Sequence, residues 1–264
     1  GQWQNLITIQ TNLATGAIQT GIVKYSSEYK NNLNGFKLLV KNSLLIIFFL
    51  SLFTSLLLLV LEPFISANIL FIDGSQNLIY FLAFFPLVYA LNLYIVSFLN
   101  GLGEIKLFTL NNIIISVVNL CIVSLLTIRF QLLGTLIGIV LVQPIVLLIF
   151  IILLKTNIKK RIFIFSSFFI KKNLLLTPKL LKFTLGTFTS AIFTSVTLII
   201  IRLMIKNNIS IEASGLWEAG YRISAYFNLF FALPYSVFYL PKFSSEKNNL
   251  VIKKILYNSI KLTI

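Results

Sequence analysis

Apolar residues along this chain gather in long runs rather than in the one-sided stripes of a water-facing helix. The clearest runs cover about 42–61, 78–99, 107–128, 132–154, 174–201 and 213–240, and another opens at 261–264. A helix crosses a hydrocarbon core about 30 Å thick with roughly 20 mostly apolar residues, and these lengths fit. The runs are apolar nearly all round, which predicts helices surrounded by lipid and by one another. The fold class read from this pattern is all-α, a polytopic membrane protein with about seven to eight transmembrane helices.

The first segment, 1–23, has a different texture. Asn5, Thr8, Asn12, Thr15 and Gln19 recur at spacings of three and four, which predicts one helix with its polar groups on a single face. Lipid cannot satisfy such a stripe, so it must meet protein, water or a polar ligand. Interhelical hydrogen bonding is one reading, and the wall of a polar cavity is the other and the preferred one. Asn112, Ser116 and Asn119 form a shorter stripe of the same kind. Gly134 and Gly138 make a GxxxG pattern at the start of a run, which predicts close helix packing rather than a ligand role.

Charge then orients the runs. Of the 22 basic residues, 17 fall on every second link: Lys24 to Lys41, then Lys106, then the eight from Lys155 to Lys182, then Lys242 to Lys254. Lysine- and arginine-rich links stay on the cytoplasmic side. The links carrying Glu62 and Asp73, Arg129, and Lys206 with Glu212 are therefore predicted to lie outside. The net charge of +15 is accounted for by topology and by anionic membrane lipids, and no nucleic-acid partner is implied.

Composition narrows the chemistry. The chain has no histidine, seven carboxylates and one cysteine, Cys121, within an apolar run. Disulfides are excluded, and the commonest metal ligand and neutral-pH acid–base group are absent. No glycine-lysine phosphate loop is present. Catalysis is not expected, and no cofactor or metal is predicted. The chain begins at a glycine and ends inside an apolar run, which predicts a piece of a longer protein. The basic, aromatic-rich link 158–177 is read as a cytoplasmic interfacial linker. It separates helices of an N-terminal lobe, 1–157, from the start of a C-terminal lobe, 178–264, a plan familiar from secondary transporters.

Three ionisable residues fall inside the runs, where each needs a reason because a central charge costs at least about 2.5 kcal/mol. Glu218 and Arg222 are four apart and share a helical face. They are either a self-neutralising packing pair or a guanidinium offered to an anionic ligand with its resident counter-ion. The planar fork of arginine suits phosphate. Arg202 lies one turn from Lys206, so snorkelling to the outer surface and a functional role are both open. Lys24, at the inner end of the polar helix, is a candidate for the entrance. The candidate substrate-binding set is Arg222, Glu218, Arg202, Lys24, Asn5, Asn12 and Gln19.

At these residues the chain resembles a known family. Gly1-Gln2-Trp3-Gln4-Asn5 and Gly21-Ile22-Val23-Lys24-Tyr25 with Glu28-Tyr29 are similar to the second-helix region of Wzx-type flippases. Lys182-Phe183-Thr184, Thr194-Ser195-Val196-Thr197, Gly215-Leu216-Trp217-Glu218-Ala219 with Arg222-Ile223-Ser224, and Ser236 to Lys242 look like the seventh and eighth helices. The likeness is strongest to the enterobacterial common antigen branch, and the middle runs share only hydropathy. It implies the MATE/MOP superfamily fold, with two six-helix lobes, alternating access and a cationic central cavity. It further implies translocation of undecaprenyl-diphosphate-linked oligosaccharide across the bacterial inner membrane, for O-antigen or enterobacterial common antigen synthesis. By the same likeness the family's first helix and its helices beyond residue 264 are expected outside this chain. The chain departs from the pattern at Glu218, where glutamine is usual, and a glutamate there can pair with Arg222. A MATE-like ion-coupled exporter, with an ion gradient as partner, and a membrane glycosyltransferase or polymerase are the alternatives. The first would favour acidic cavity residues, and the second would need acidic or histidine catalytic groups.

Overall fold

The computed structural model of the chain describes residues 2–70, 75–157 and 177–234, and the described residues are helical with no strand. Among the described residues eight α-helices follow one another: α1 (Gln2–Thr15), α2 (Gln19–Glu28), α3 (Leu33–Ile65), α4 (Ser75–Ala83), α5 (Pro86–Leu102), α6 (Ile105–Asn157), α7 (Thr177–Asn208) and α8 (Ile211–Pro234). Three of them are long and apolar enough to cross a membrane, and the bent pair α4–α5 makes a fourth. The protein is an all-α polytopic membrane protein. The link 158–177 lies outside the described residues except for its last position, as do Asp73, the run at 261–264 and residues 236–242.

Local chemistry explains where the helices break. Asn32 caps α3, its side chain accepting from the Gly35 amide at 3.1 Å, so the helix starts well before the apolar run and carries Lys37 and Lys41 in its first turns. Pro86 interrupts the apolar run 78–99. It cannot donate to the preceding turn, and α4 and α5 meet there at 47°. Helix α6 is really two antiparallel arms, 105–130 and 132–157, reversed at Gln131 with non-helical backbone angles. The arms touch closely: the Thr127 and Thr135 hydroxyls are 2.8 Å apart, and a Cβ on Gly134 would fall 2.0 Å from the Leu126 carbonyl oxygen. Gly134 and Gly138 thus serve helix packing.

The first segment departs from the single helix expected of it. It breaks after Thr15, where Gly16 and Ala17 both adopt left-handed angles (φ of 58° and 51°), and α2 begins at Gln19. Thr15 supports the break, its hydroxyl accepting from the Ala17 amide at 3.2 Å. Thr187 of α7 donates to the Ala17 carbonyl at 3.3 Å.

Two apolar clusters hold the bundle. One gathers Ile18, Ile22, Leu39, Ile47, Tyr94 and Phe98 from α2, α3, α5 and their surroundings. The other gathers Trp3, Leu6, Leu58, Ile79, Leu82 and Leu136, with the Trp3 indole donating to the Leu136 carbonyl at 3.0 Å. Lys30 donates to the Leu102 carbonyl at 2.9 Å, so two links assigned to the cytoplasmic side by charge meet in space. Glu62 is buried near the C-terminal end of α3 and accepts from the Tyr80 hydroxyl at 3.3 Å. The Asn112–Ser116–Asn119 stripe is exposed along the first arm of α6.

Candidate functional site

Helix α1 packs against α7, and α7 against α8. Between them lies a cavity of about 430 Å³. Helix α1 contributes Gln4, Asn5, Thr8 and Asn12, the face on which its polar groups recur. Helix α7 contributes Thr194, Ser195 and Arg202, and α8 contributes Glu218, Tyr221, Arg222 and Tyr226. A period of three and four on each helix brings these groups to one side.

Glu218 is the electrostatic centre. Its Oε1 accepts from Arg222 Nε at 2.9 Å across one helical turn, and its Oε2 is ion-paired with the Arg202 guanidinium of α7. Arg222 is nearly half exposed to the cavity, whereas Arg202 is buried at 3% exposure. Snorkelling therefore does not describe Arg202: the α7–α8 packing turns it inward, where a carboxylate and the Trp217 ring, 5.7 Å away, receive it. Its Nε and Nη1 have no hydrogen-bond partner among the described residues. Two guanidinium groups face one carboxylate, so the cavity keeps a net positive charge and free donors. That arrangement suits a planar, multiply charged oxyanion.

The opposite wall is neutral. Asn5 is buried and its Nδ2 has no partner among the described residues, so it is a donor in waiting. Thr8, Thr194 and Ser195 spend their hydroxyl hydrogens on the carbonyls of Gln4, Ser190 and Ala191, which leaves their oxygens as acceptors.

Of the seven candidate residues, Asn5, Asn12, Arg202, Glu218 and Arg222 surround the cavity. Gln19 does not, because the break at Gly16–Ala17 carries it into α2, where it donates to the Thr15 hydroxyl at 3.1 Å. Lys24 lies 5.2 Å from the Tyr25 ring centroid and is not part of the lining. Sequence reasoning missed Tyr221 and Tyr226, although Tyr221 follows Glu218 by three and Tyr226 follows Arg222 by four. It also passed over Ser195, two turns before Arg202.

A second cavity, also about 430 Å³, lies on another face of the same helix pair. Leu6, Ile9 and Leu13 of α1, Leu61 and Phe64 of α3, and Ile200 of α7 are among its lining, which is almost wholly apolar. Helices α1 and α7 therefore separate a charged chamber from an apolar groove.

Among the described residues no cluster of His, Cys, Asp or Glu is placed to hold a metal ion. No curated protein and no solved structure matches the chain. The family of polysaccharide biosynthesis proteins matches residues 1–246 of the 264, and the chain, a membrane protein with a cationic chamber inside its helical bundle, belongs to that family.

Proposed function

We infer that the protein translocates undecaprenyl-diphosphate-linked oligosaccharide across the bacterial inner membrane by alternating access, acting as a transporter and not as an enzyme. The observation that carries this reading is the pair of arginines converging on Glu218 inside an otherwise neutral, hydroxyl- and amide-lined chamber. A diphosphate offers the charge and the fork geometry that Arg202 and Arg222 can hold. In the empty chamber Glu218 pairs with both arginines and offsets one of their two charges, and an arriving diphosphate competes with it. The polar face of α1 supplies hydrogen bonds for sugar. The apolar groove across α1 and α7 suits the hydrocarbon part of an amphipathic substrate. Family membership supports a role in polysaccharide biosynthesis, and O-antigen or enterobacterial common antigen is the pathway this reading favours.

The test is transport by the protein reconstituted in liposomes. Lipid-linked oligosaccharide should reach a membrane-impermeant lectin faster than in protein-free liposomes, and efflux of cationic dyes should stay at the protein-free rate. Dye efflux without oligosaccharide movement would favour a cation exporter.

A further inference from the structure

Within the chamber, and resting on the anionic-ligand reading above, we propose a sugar subsite in which Tyr221 stacks against the pyranose attached to the phosphate and Asn5 and Thr8 hydrogen-bond its hydroxyls. Tyr221 follows Glu218 by three residues and immediately precedes Arg222, so its ring stands beside the guanidinium on the same wall. One face of the ring is already occupied: Trp217 stacks on it with centroids 5.5 Å apart and planes at 12°. Trp217 also receives the Arg202 guanidinium. The tyrosine is therefore held by the same residues that hold the charges, and its second face has no ring partner among the described residues. An aromatic face bounded by a cation is a platform for the C–H face of a sugar whose phosphate is bound next door.

The facing helix supplies complementary chemistry. Asn5 Nδ2 is a buried donor without a partner, and Thr8, three residues on, presents an acceptor oxygen because its hydrogen is bonded to the Gln4 carbonyl at 2.9 Å. A donor and an acceptor one turn apart suit two hydroxyls of one ring. A buried amide left without a partner is costly, which makes the match selective for a ligand that fills it. A bare phosphate would leave this half of the chamber unused.

Calorimetric titration of the purified protein with N-acetylglucosamine 1-phosphate and with methyl phosphate tests the subsite. The sugar phosphate should bind about tenfold more tightly than methyl phosphate. Tyr221→Ala and Asn5→Ala should bring that ratio close to one, and Tyr221→Phe, which keeps the ring, should retain it. Equal affinities in the unmodified protein, or an undiminished ratio in Tyr221→Ala, would overturn the subsite. Absence of binding by both phosphates would instead overturn the anion reading on which it rests.

Discussion

Arg202 of α7 and Glu218 of α8 form an ion pair that joins two consecutive helices. Arg202 is almost fully buried, so its charge depends on this carboxylate. Removing one partner of a buried pair typically costs about 3–5 kcal/mol, because the other is left uncompensated. Glu218→Ala is expected to lower the thermal unfolding midpoint in detergent markedly. Glu218→Ala combined with Arg202→Met should recover much of the loss. A double variant no more stable than the single one would contradict the pairing.

The α6 hairpin makes a sharper steric prediction. At Gly134 a methyl group would meet the Leu126 backbone at 2.0 Å, whereas at Gly138 the nearest atom is 3.3 Å away. Overpacking against fixed backbone costs about 1–3 kcal/mol. Gly134→Ala should destabilise the protein within that range and Gly138→Ala by clearly less, as read by chemical denaturation in micelles.

At the break between α1 and α2, Ala17 adopts left-handed angles that an L-residue with a Cβ disfavours by about 1–2 kcal/mol. Ala17→Gly relieves that strain and is expected to be neutral or stabilising. Gly16→Ala keeps the left-handed angle and adds a Cβ 2.7 Å from a Leu50 methyl, and is expected to destabilise. A loss in melting temperature for Gly16→Ala with none for Ala17→Gly in a thermal-shift experiment would confirm that the break belongs to the native fold.

The start of α8 carries a pH dependence. Ser210 caps the helix, its hydroxyl accepting from the Ala213 amide at 3.1 Å. The Glu212 carboxyl is held below its ordinary value of 4.5 by its own backbone amide and then by the Ser210 hydroxyl. A depressed carboxyl contributes stability that is fully present above 4.5 and is lost as pH falls through the lower folded value. Glu212→Gln, which mimics the protonated carboxyl, should therefore lower the melting temperature at pH 7, change it little well below pH 4.5, and so flatten part of the decline between. Ser210→Ala should cost about 1 kcal/mol at either pH.

Much of the chamber was legible from spacing alone. The i, i+4 relation of Glu218 and Arg222 and the recurrence of Asn5, Thr8 and Asn12 are helical geometry, and the structure keeps both. Gln19 left the stripe because two consecutive left-handed residues follow the end of α1, and an alanine at the second of them carries no sequence signal. Arg202 was ambiguous because its neighbour Lys206 marks the outer end. Only the packing of α7 on α8 decides which way its long side chain turns. The bend at Pro86 was not read from the sequence, because a proline inside an apolar run reads equally well as a kink or a boundary. Tyr221 and Tyr226 were hidden by their apolar character, since aromatic residues on a membrane helix are usually packing.

The central proposal is that the chamber's arginines hold the anionic headgroup during transport, and Arg222 is the one open to the cavity. The most direct measurement is the translocation rate of lipid-linked oligosaccharide in liposomes containing unmodified protein, Arg222→Ala or Arg222→Lys. Loss of one charge-assisted bidentate contact corresponds to about 1.5–3 kcal/mol. Arg222→Ala is therefore expected to fall roughly tenfold to a hundredfold, with Arg222→Lys between it and the unmodified protein. Undiminished translocation in both variants, with the protein folded, would contradict the role assigned to Arg222.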